Sequence, residues 1–258
     1  MLRQLIYSLY TRRLENEVRA GRLPHHIGLI LDGNRRFARE MGFLDVVEGH
    51  RRGAEKVEEV LTWCEDLGIR MVTIWILSTE NLSRPPDELG ALLGLIERKL
   101  RETAVDPKVH RKQLRIRAIG RQEMLPPSTQ EAIRLAEEAT RNYENFFLNV
   151  AVGYGGRQEI ADAMAALMRE RAKQGQDLAT LADEVSPDLI GKYLYTYDLP
   201  DPDLIIRTSG ELRLSGFLLW QSAYSEFYFC DAYWPSFRRI DFLRAIRSYQ
   251  QRERRFGG

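Results

Sequence analysis

Short apolar runs alternate with polar blocks along this chain, and the period of each stretch predicts an element. His26-Ile27-Gly28-Leu29-Ile30-Leu31 runs uninterrupted into Asp32-Gly33-Asn34-Arg35-Arg36. An apolar run of that length predicts a strand buried on both faces, as in a parallel sheet. Similar runs predict strands over 70–77, 114–119, 146–152, 203–206 and 226–229. Between them, apolar positions at helical spacing predict helices over about 2–20, 34–41, 50–67, 87–105, 128–142, 156–174, 187–194 and 238–254. The alternation of strand and helix predicts an α/β fold: a single domain over 1–258 with a mostly parallel central sheet flanked by helices. No linker or internal repeat divides it.

Composition narrows what such a domain does. With 258 residues and 44% hydrophobic content the chain builds one substantial core. A net charge of +1 speaks against a nucleic-acid binder that works through a general positive field. Cys64 and Cys230 are too few for a disulfide framework and too far apart for a metal knuckle, so a reducing, cytoplasmic setting is expected. No apolar run spans a bilayer and no signal-peptide core opens the chain. The N-terminal helix, with Leu2, Leu5, Ile6 and Leu9 beside Arg3, Arg12 and Arg13, fits either packing on the protein or transient contact with a membrane surface.

Candidate chemistry gathers where strands end, because open α/β sheets bind ligands at the carboxyl edge. Gly33 lets the backbone approach a ligand, Asn34 is suited to cap the following helix, and Arg35 and Arg36 offer forked donors to phosphate oxygens. Asp32 beside them is suited to hold Mg²⁺ against the same phosphate. Asp-Gly and Gly-Asn are also ordinary turn dipeptides, so this block alone is ambiguous. A second block, Arg207-Thr208-Ser209-Gly210-Glu211-Leu212-Arg213-Leu214-Ser215, again places arginines and hydroxyls after a strand. Its competing reading is a solvated loop whose arginines pair with Glu211. Two such blocks on separate strand ends point to two anionic groups. Ser78-Thr79-Glu80-Asn81-Leu82-Ser83-Arg84 forms a third polar tip, while the glycines of 153–156 read equally well as a helix-entry turn.

The motifs HIGLILDGNRRFA, GHRRGAEK, LSTENLSR, NVAVGYGGRQEI, DPDLIIRTSGELRLSGFLLWQSAYSEFYF, WPSF and RERRFGG occur in this order over nearly the whole chain. Together they resemble the cis-prenyltransferase family, which contains undecaprenyl diphosphate synthase. STENL and SGFLLWQSAYSE are similar in pattern to short-chain actinobacterial members that make Z,E-farnesyl diphosphate. The resemblance implies condensation of isopentenyl diphosphate with an allylic diphosphate, with Mg²⁺, in a homodimer. It places Asp32, Asn34 and Asn81 in catalysis. It assigns substrate binding to Gly33, Arg35, Arg36, Phe37, His50, Ser78, Glu80, Arg84, Arg207, Arg213 and Ser215. Mg²⁺ would be positioned by Asp32 and Glu226, the latter reaching across the dimer. Arg255 and Gly257, in the terminal RxG tail over 255–257, would reach the partner's diphosphate site.

Ile76 and Leu77 stand where the family lines its product tunnel, and a bulky Ile76 predicts a narrow channel and a short product, with geranyl diphosphate as primer. Medium- or long-chain synthesis is the alternative. Helix positions Leu89, Leu92, Leu93, Ile96 and Leu100 supply either tunnel wall or plain core. Some positions depart from the commonest bacterial pattern: Arg35 replaces a glycine, Phe37 a tryptophan, and an arginine usual between Gly42 and Gly49 is missing, for which Arg35 or Arg51 would compensate. His26, opening a strand, reads as structural; His50, near a helix start, reads as anion-facing; His25 and His110 are expected at the surface. A noncatalytic partner subunit is disfavoured because Asp32, Arg36, Arg207 and Arg213 are all present, and a phosphate-handling hydrolase because no general-base constellation accompanies them. The aromatic residues Tyr224, Phe227, Tyr228, Phe229, Tyr233 and Trp234 suggest a dimer interface.

Overall fold

The structure is a computed structural model describing residues 2–252, so Arg255 and Gly257 lie outside the described residues. Helix α1 (Leu2–Ala20) leads into β1 (His26–Ile30), α2 (Asn34–Glu40), α3 (Val47–Leu67) and β2 (Met71–Ser78). Then follow α4 (Pro86–Val105), α5 (Pro107–Lys112), β3 (Leu114–Ile119), α6 (Pro127–Thr140) and β4 (Phe146–Tyr154). The chain closes through α7 (Gly156–Lys173), α8 (Leu178–Glu184), α9 (Pro187–Gly191), β5 (Leu204–Arg207), β6 (Glu226–Phe229) and α10 (Arg239–Gln251).

The six strands form one sheet in the order β3-β4-β2-β1-β5-β6, and every pairing is parallel. Burial on both faces explains the uninterrupted apolar runs, since each side of a parallel strand meets a covering layer. Val72, Ile74, Leu148 and Val150 join a large core with residues of α1, α3, α4, α6 and α10. The other face carries a smaller core in which Trp75, Tyr154 and Phe217 stack edge-on and face-on.

Two short helices were not legible as periodic patterns. Asp106 starts α5 by accepting from the Lys108 N–H, and Asp177 starts α8 by accepting from those of Ala179 and Thr180. Aspartate capping accounts for both, and neither is long enough to display a repeat. Helix α3 begins at Val47, earlier than the expected 50, because the Asp45 carboxylate accepts the Val47 N–H at 2.8 Å. The expected cap by Asn34 does not form: Gly33 occupies the cap position, and Asn34 Nδ2 donates backwards to the Leu31 carbonyl at 2.9 Å.

Topology decides where a ligand binds. β1 has β2 on one side and β5 on the other, so the connections leaving β1 and β5 diverge and open a crevice at their carboxyl ends. Asp32 follows β1 and Arg207 ends β5, with Ile30 and Arg207 level in register.

Candidate active site

The loop after β1 is held from beneath by backbone and hydroxyl donors. The Asp32 carbonyl accepts from Trp234 N–H at 2.9 Å and from Thr208 Oγ1 at 2.7 Å. Gly33 adopts φ +103°, and a Cβ there would lie 2.9 Å from Tyr233 Cβ, so both conformation and space require glycine. Helix α3 reaches the same loop through Gly49 and Gly53: a Cβ on Gly49 would lie 2.1 Å from the Asn34 carbonyl oxygen, and one on Gly53 2.3 Å from Asn34 Oδ1. These two small residues, one helical turn apart, bring α3 close enough to form a wall of the crevice.

Arg207 is the buried charge of the site, its side chain only 5% exposed. Nε and Nη2 donate to Asp32 Oδ2 at 2.9 and 2.6 Å, while Nη1 donates to Ser215 Oγ at 2.9 Å and to the Arg213 carbonyl. A guanidinium so fully engaged is fixed in direction before any ligand arrives. Arg36 donates to Glu211 Oε1 at 2.9 Å and lies over the Tyr233 ring; Arg213 meets Glu211 Oε2 at 2.6 Å. Glu88 plays the corresponding part on the other side, taking Arg84 at 3.2 Å and Arg35 at 3.5 Å.

Most of the residues singled out by sequence converge here. Asp32, Gly33, Asn34, Arg35, Arg36, His50, Ser78, Glu80, Asn81, Arg84, Arg207 and Ser215 line one cavity of about 1090 Å³. Ser78 and Asn81 brace each other reciprocally, Asn81 N–H to Ser78 Oγ at 3.1 Å and Ser78 N–H to Asn81 Oδ1 at 3.3 Å. His50 is the fourth residue of α3, its Nε2 buried without a partner among the described residues. Burial first, and the Arg84 charge second, push its pKa down to about 4, so it faces the cavity as a neutral imidazole.

Other expectations need correction. Arg213 is 68% exposed on its side chain and turns to Glu211, and Phe37 packs on Phe43 at 6.3 Å between ring centroids; neither lines the cavity. Arg51 is committed to Glu48 and Glu55, so of the two candidates to replace the missing arginine only Arg35 reaches the cavity. Glu226 opens β6, level with Leu204, and pairs with Arg252 at 2.7 Å. Since Leu204 is level with Ile27, Glu226 lies at the amino edge of the sheet, roughly 16 Å along the strands from Asp32 at the usual rise per residue. His110 is half-buried, its ring nitrogens bonded to Tyr143 Oη and the Ala104 carbonyl. Trp234 is 1% exposed and belongs to the chain's own core.

The apolar part of the cavity runs between α3 and α4 over the sheet. Leu92, Leu95, Ile96 and Leu100 of α4 face Ile74 and Ile76 of β2, and Leu77 also contributes. Packed interiors leave few voids larger than a water molecule, so a space of this size is suited to a ligand. Sequence reasoning missed Leu95, although it lies between Leu92 and Ile96 on the same helical face, and Arg39 of α2, for which only its position one turn after Arg36 gave a signal. Ile76 is the residue skipped in the β2–β4 register, between Trp75 opposite Ala151 and Leu77 opposite Val152. Such a bulge re-aims a side chain at a site.

The donors suit a divalent cation shared with a ligand. Both Arg207 bonds go to one oxygen of Asp32, and its carboxylate is 37% exposed. No group of three or more metal-ligating side chains exists among the described residues. A single carboxylate completed by phosphate oxygens is the usual Mg²⁺ arrangement, so the residues fit that ion once a diphosphate is present.

A family model described as "Putative undecaprenyl diphosphate synthase" matches residues 30–257. The chain is similar to a tritrans,polycis-undecaprenyl-diphosphate synthase (geranylgeranyl-diphosphate specific) of Methanopyrus kandleri, 54% identical, covering 98% of this chain and 91% of that protein. It is also similar to a (2Z,6E)-farnesyl diphosphate synthase of Thermobifida fusca, 52% identical, covering 100% and 99%. Among solved structures, lavandulyl diphosphate synthase from Lavandula x intermedia in complex with dimethylallyl diphosphate aligns with TM-score 0.82 and 33% identity, over 94% of this chain and 100% of that one.

Proposed function

The chain belongs to the undecaprenyl diphosphate synthase family and is a prenyltransferase, and from that premise we propose that it joins isopentenyl diphosphate to an allylic diphosphate through a new Z double bond. The observation that carries this reading is the Asp32–Arg207 pair at the mouth of a deep apolar cavity, with separate cationic groups on either side. The allylic diphosphate lies against the 32–36 loop, Arg36 and Arg39; the isopentenyl diphosphate lies against Arg207, Ser215 and Arg213, whose exposed side chain leaves Glu211 for the ligand.

The reaction breaks the allylic C–O bond, forms a C–C bond from the homoallylic alkene, and releases a proton. Preplaced donors lower the barrier by stabilising the charge that collects on the departing diphosphate. Arg36 and Arg39 supply that field, and neutral His50 supplies a hydrogen bond. Asn81, braced by Ser78, orients the second substrate. The departing diphosphate takes the proton. Asp32 would hold Mg²⁺ with diphosphate oxygens, where the ion supplies Lewis-acid stabilisation of the leaving group.

Set against the short product that Ile76 predicts, the depth of the cavity supports one longer than fifteen carbons. Ile76 lines the cavity without ending it, for the lining continues to Val109, Leu114 and Phe146 at the amino edge of the sheet. Ser78 and Phe146 are about eight residues apart in register, a depth of roughly 26 Å. At four backbone bonds of about 1.5 Å per isoprene unit, a fifteen-carbon tail would leave the distal part empty. The relatives divide on this point, so cavity depth carries the argument and Ile76 does not.

A homodimer, pairing along the free edge of β6, is the assembly in which Glu226 reaches a partner's site; Tyr224, 78% exposed, supports that face. Ile6 and Leu9 of α1, 58% and 60% exposed, support transient contact with a membrane surface. Among the described residues no helix is long and apolar enough to cross a membrane.

The test is incubation with Mg²⁺, labelled isopentenyl diphosphate and each of dimethylallyl, geranyl and farnesyl diphosphate, with products resolved by length and double-bond geometry. Z products beyond fifteen carbons are expected. A single addition to geranyl diphosphate overturns the length, and absence of condensation by folded protein overturns the reaction.

A further inference from the structure

We propose that the distal end of the cavity is a second mouth, closed by ion pairs between α3 and the α4–α5 segment, and that Glu65 and Lys112 limit how far the prenyl tail extends. The inference rests on the proposed reaction, because only a growing hydrocarbon reaches that end.

The lining changes character with depth. Beside the sheet it is aliphatic, but where Val109 and Leu114 come in, Glu65, Thr103, Lys108 and Lys112 line the same space. A blind hydrocarbon pocket closes on apolar side chains, since an ionised group facing a dry cavity is left without a partner. Charged residues at the end therefore mark a rim in contact with water.

Two ion pairs cross the gap there. Lys112 Nζ, at the end of α5, lies 2.5 Å from Glu65 Oε2 of α3, and Lys99 Nζ of α4 lies 2.9 Å from Glu58 Oε1 of α3. Lys99 also meets Glu102 on its own helix at 3.1 Å, so its bond across the gap has a local alternative. Glu65 and Lys112 form the pair that most directly ties α5 to α3. All four side chains are partly exposed, and pairs in that setting stabilise little. An advancing tail gains burial with every isoprene unit, so it parts the latch once it fills the cavity, and the strength of the latch sets the length at which most chains stop.

The experiment uses the full chain with Mg²⁺, geranyl diphosphate and labelled isopentenyl diphosphate, and reads the product-length distribution. Lys112→Glu sets like charges across the rim and is expected to lengthen the dominant product by at least one isoprene unit. The double variant Glu65→Lys/Lys112→Glu restores an opposite-charge pair and is expected to restore the wild-type distribution. An unchanged distribution in Lys112→Glu overturns the proposal, as does a double variant that stays long. Loss of all condensation in Lys112→Glu alone, with circular dichroism unchanged, also overturns it, by giving the lysine a part in the reaction instead of in length. A wild-type chain that makes no prenyl product overturns the reaction proposed above, a result distinct from any of these.

Discussion

Arg207 Nε and Nη2 both donate to Asp32 Oδ2, at 2.9 and 2.6 Å, tying together the carboxyl ends of two adjacent parallel strands. The bond aims the guanidinium and leaves Nη1 to Ser215. It joins the two polar blocks into one site. Arg207→Lys keeps the charge and loses the fork, so kcat/KM is expected to fall by about 10²–10³-fold. Steady-state kinetics with the circular dichroism spectrum unchanged checks this; near wild-type turnover would show that the fork is not needed.

Gly53→Ala tests the approach of α3 to the loop. The new Cβ would meet Asn34 Oδ1 at 2.3 Å and Trp234 Cδ1 at 3.1 Å. Overpacking of this kind costs about 1–3 kcal/mol, and displacement of Asn34 raises KM for the allylic substrate. Gly94→Ala, with nothing within 4 Å, serves as the control and is expected to leave the melting temperature equal or higher.

Leu95→Trp places bulk on the cavity face of α4. Leu95 is 5% exposed and lines the cavity opposite the sheet, so the indole blocks the route to the distal end. Shorter products, down to a single addition, are expected from chromatography of the dephosphorylated prenols. An unaltered ladder would place the tail elsewhere.

His26 makes stability depend on pH. Its Nδ1 donates to the Pro200 carbonyl at 2.8 Å, and its Nε2 accepts from Thr73 Oγ1 at 2.8 Å, which fits one neutral tautomer. Burial pushes its pKa down to about 4. The unfolded chain therefore binds this proton first, and stability is lost as pH falls from the ordinary histidine value near 6.5 to about 4. Over that window the loss approaches roughly 3 kcal/mol from this group. Denaturant melts at pH 7 and pH 5 should show it, and His26→Gln should roughly halve the difference, the remainder coming from His50, whose pKa burial likewise pushes down to about 4.

Much of the site was legible before folding, for a local reason. A strand buried on both faces must be apolar throughout, so the first polar residue after it marks its end; parallel pairing then turns all such ends to one edge. Asp32, Asn34, Ser78, Asn81 and Arg207 were found this way. That Phe37 packs on Phe43 and that Arg213 turns to Glu211 was not legible, because residue type and order carry no information about which way a side chain turns. Glu226 opens a strand, so its distance from Asp32 followed only once β6 was placed parallel to β5.

The six strands, the longer helices and the polar blocks that follow the strands could be read from local pattern, since burial acts within a few residues; the short helices α5 and α8 could not. Folding settled that β5 lies beside β1, that Arg207 is therefore bonded to Asp32, and that α3 and α4 line one cavity over the sheet. Those outcomes depend on pairings between segments far apart in the chain. Closing such long loops costs entropy that only the assembled core offsets, so no local pattern records them.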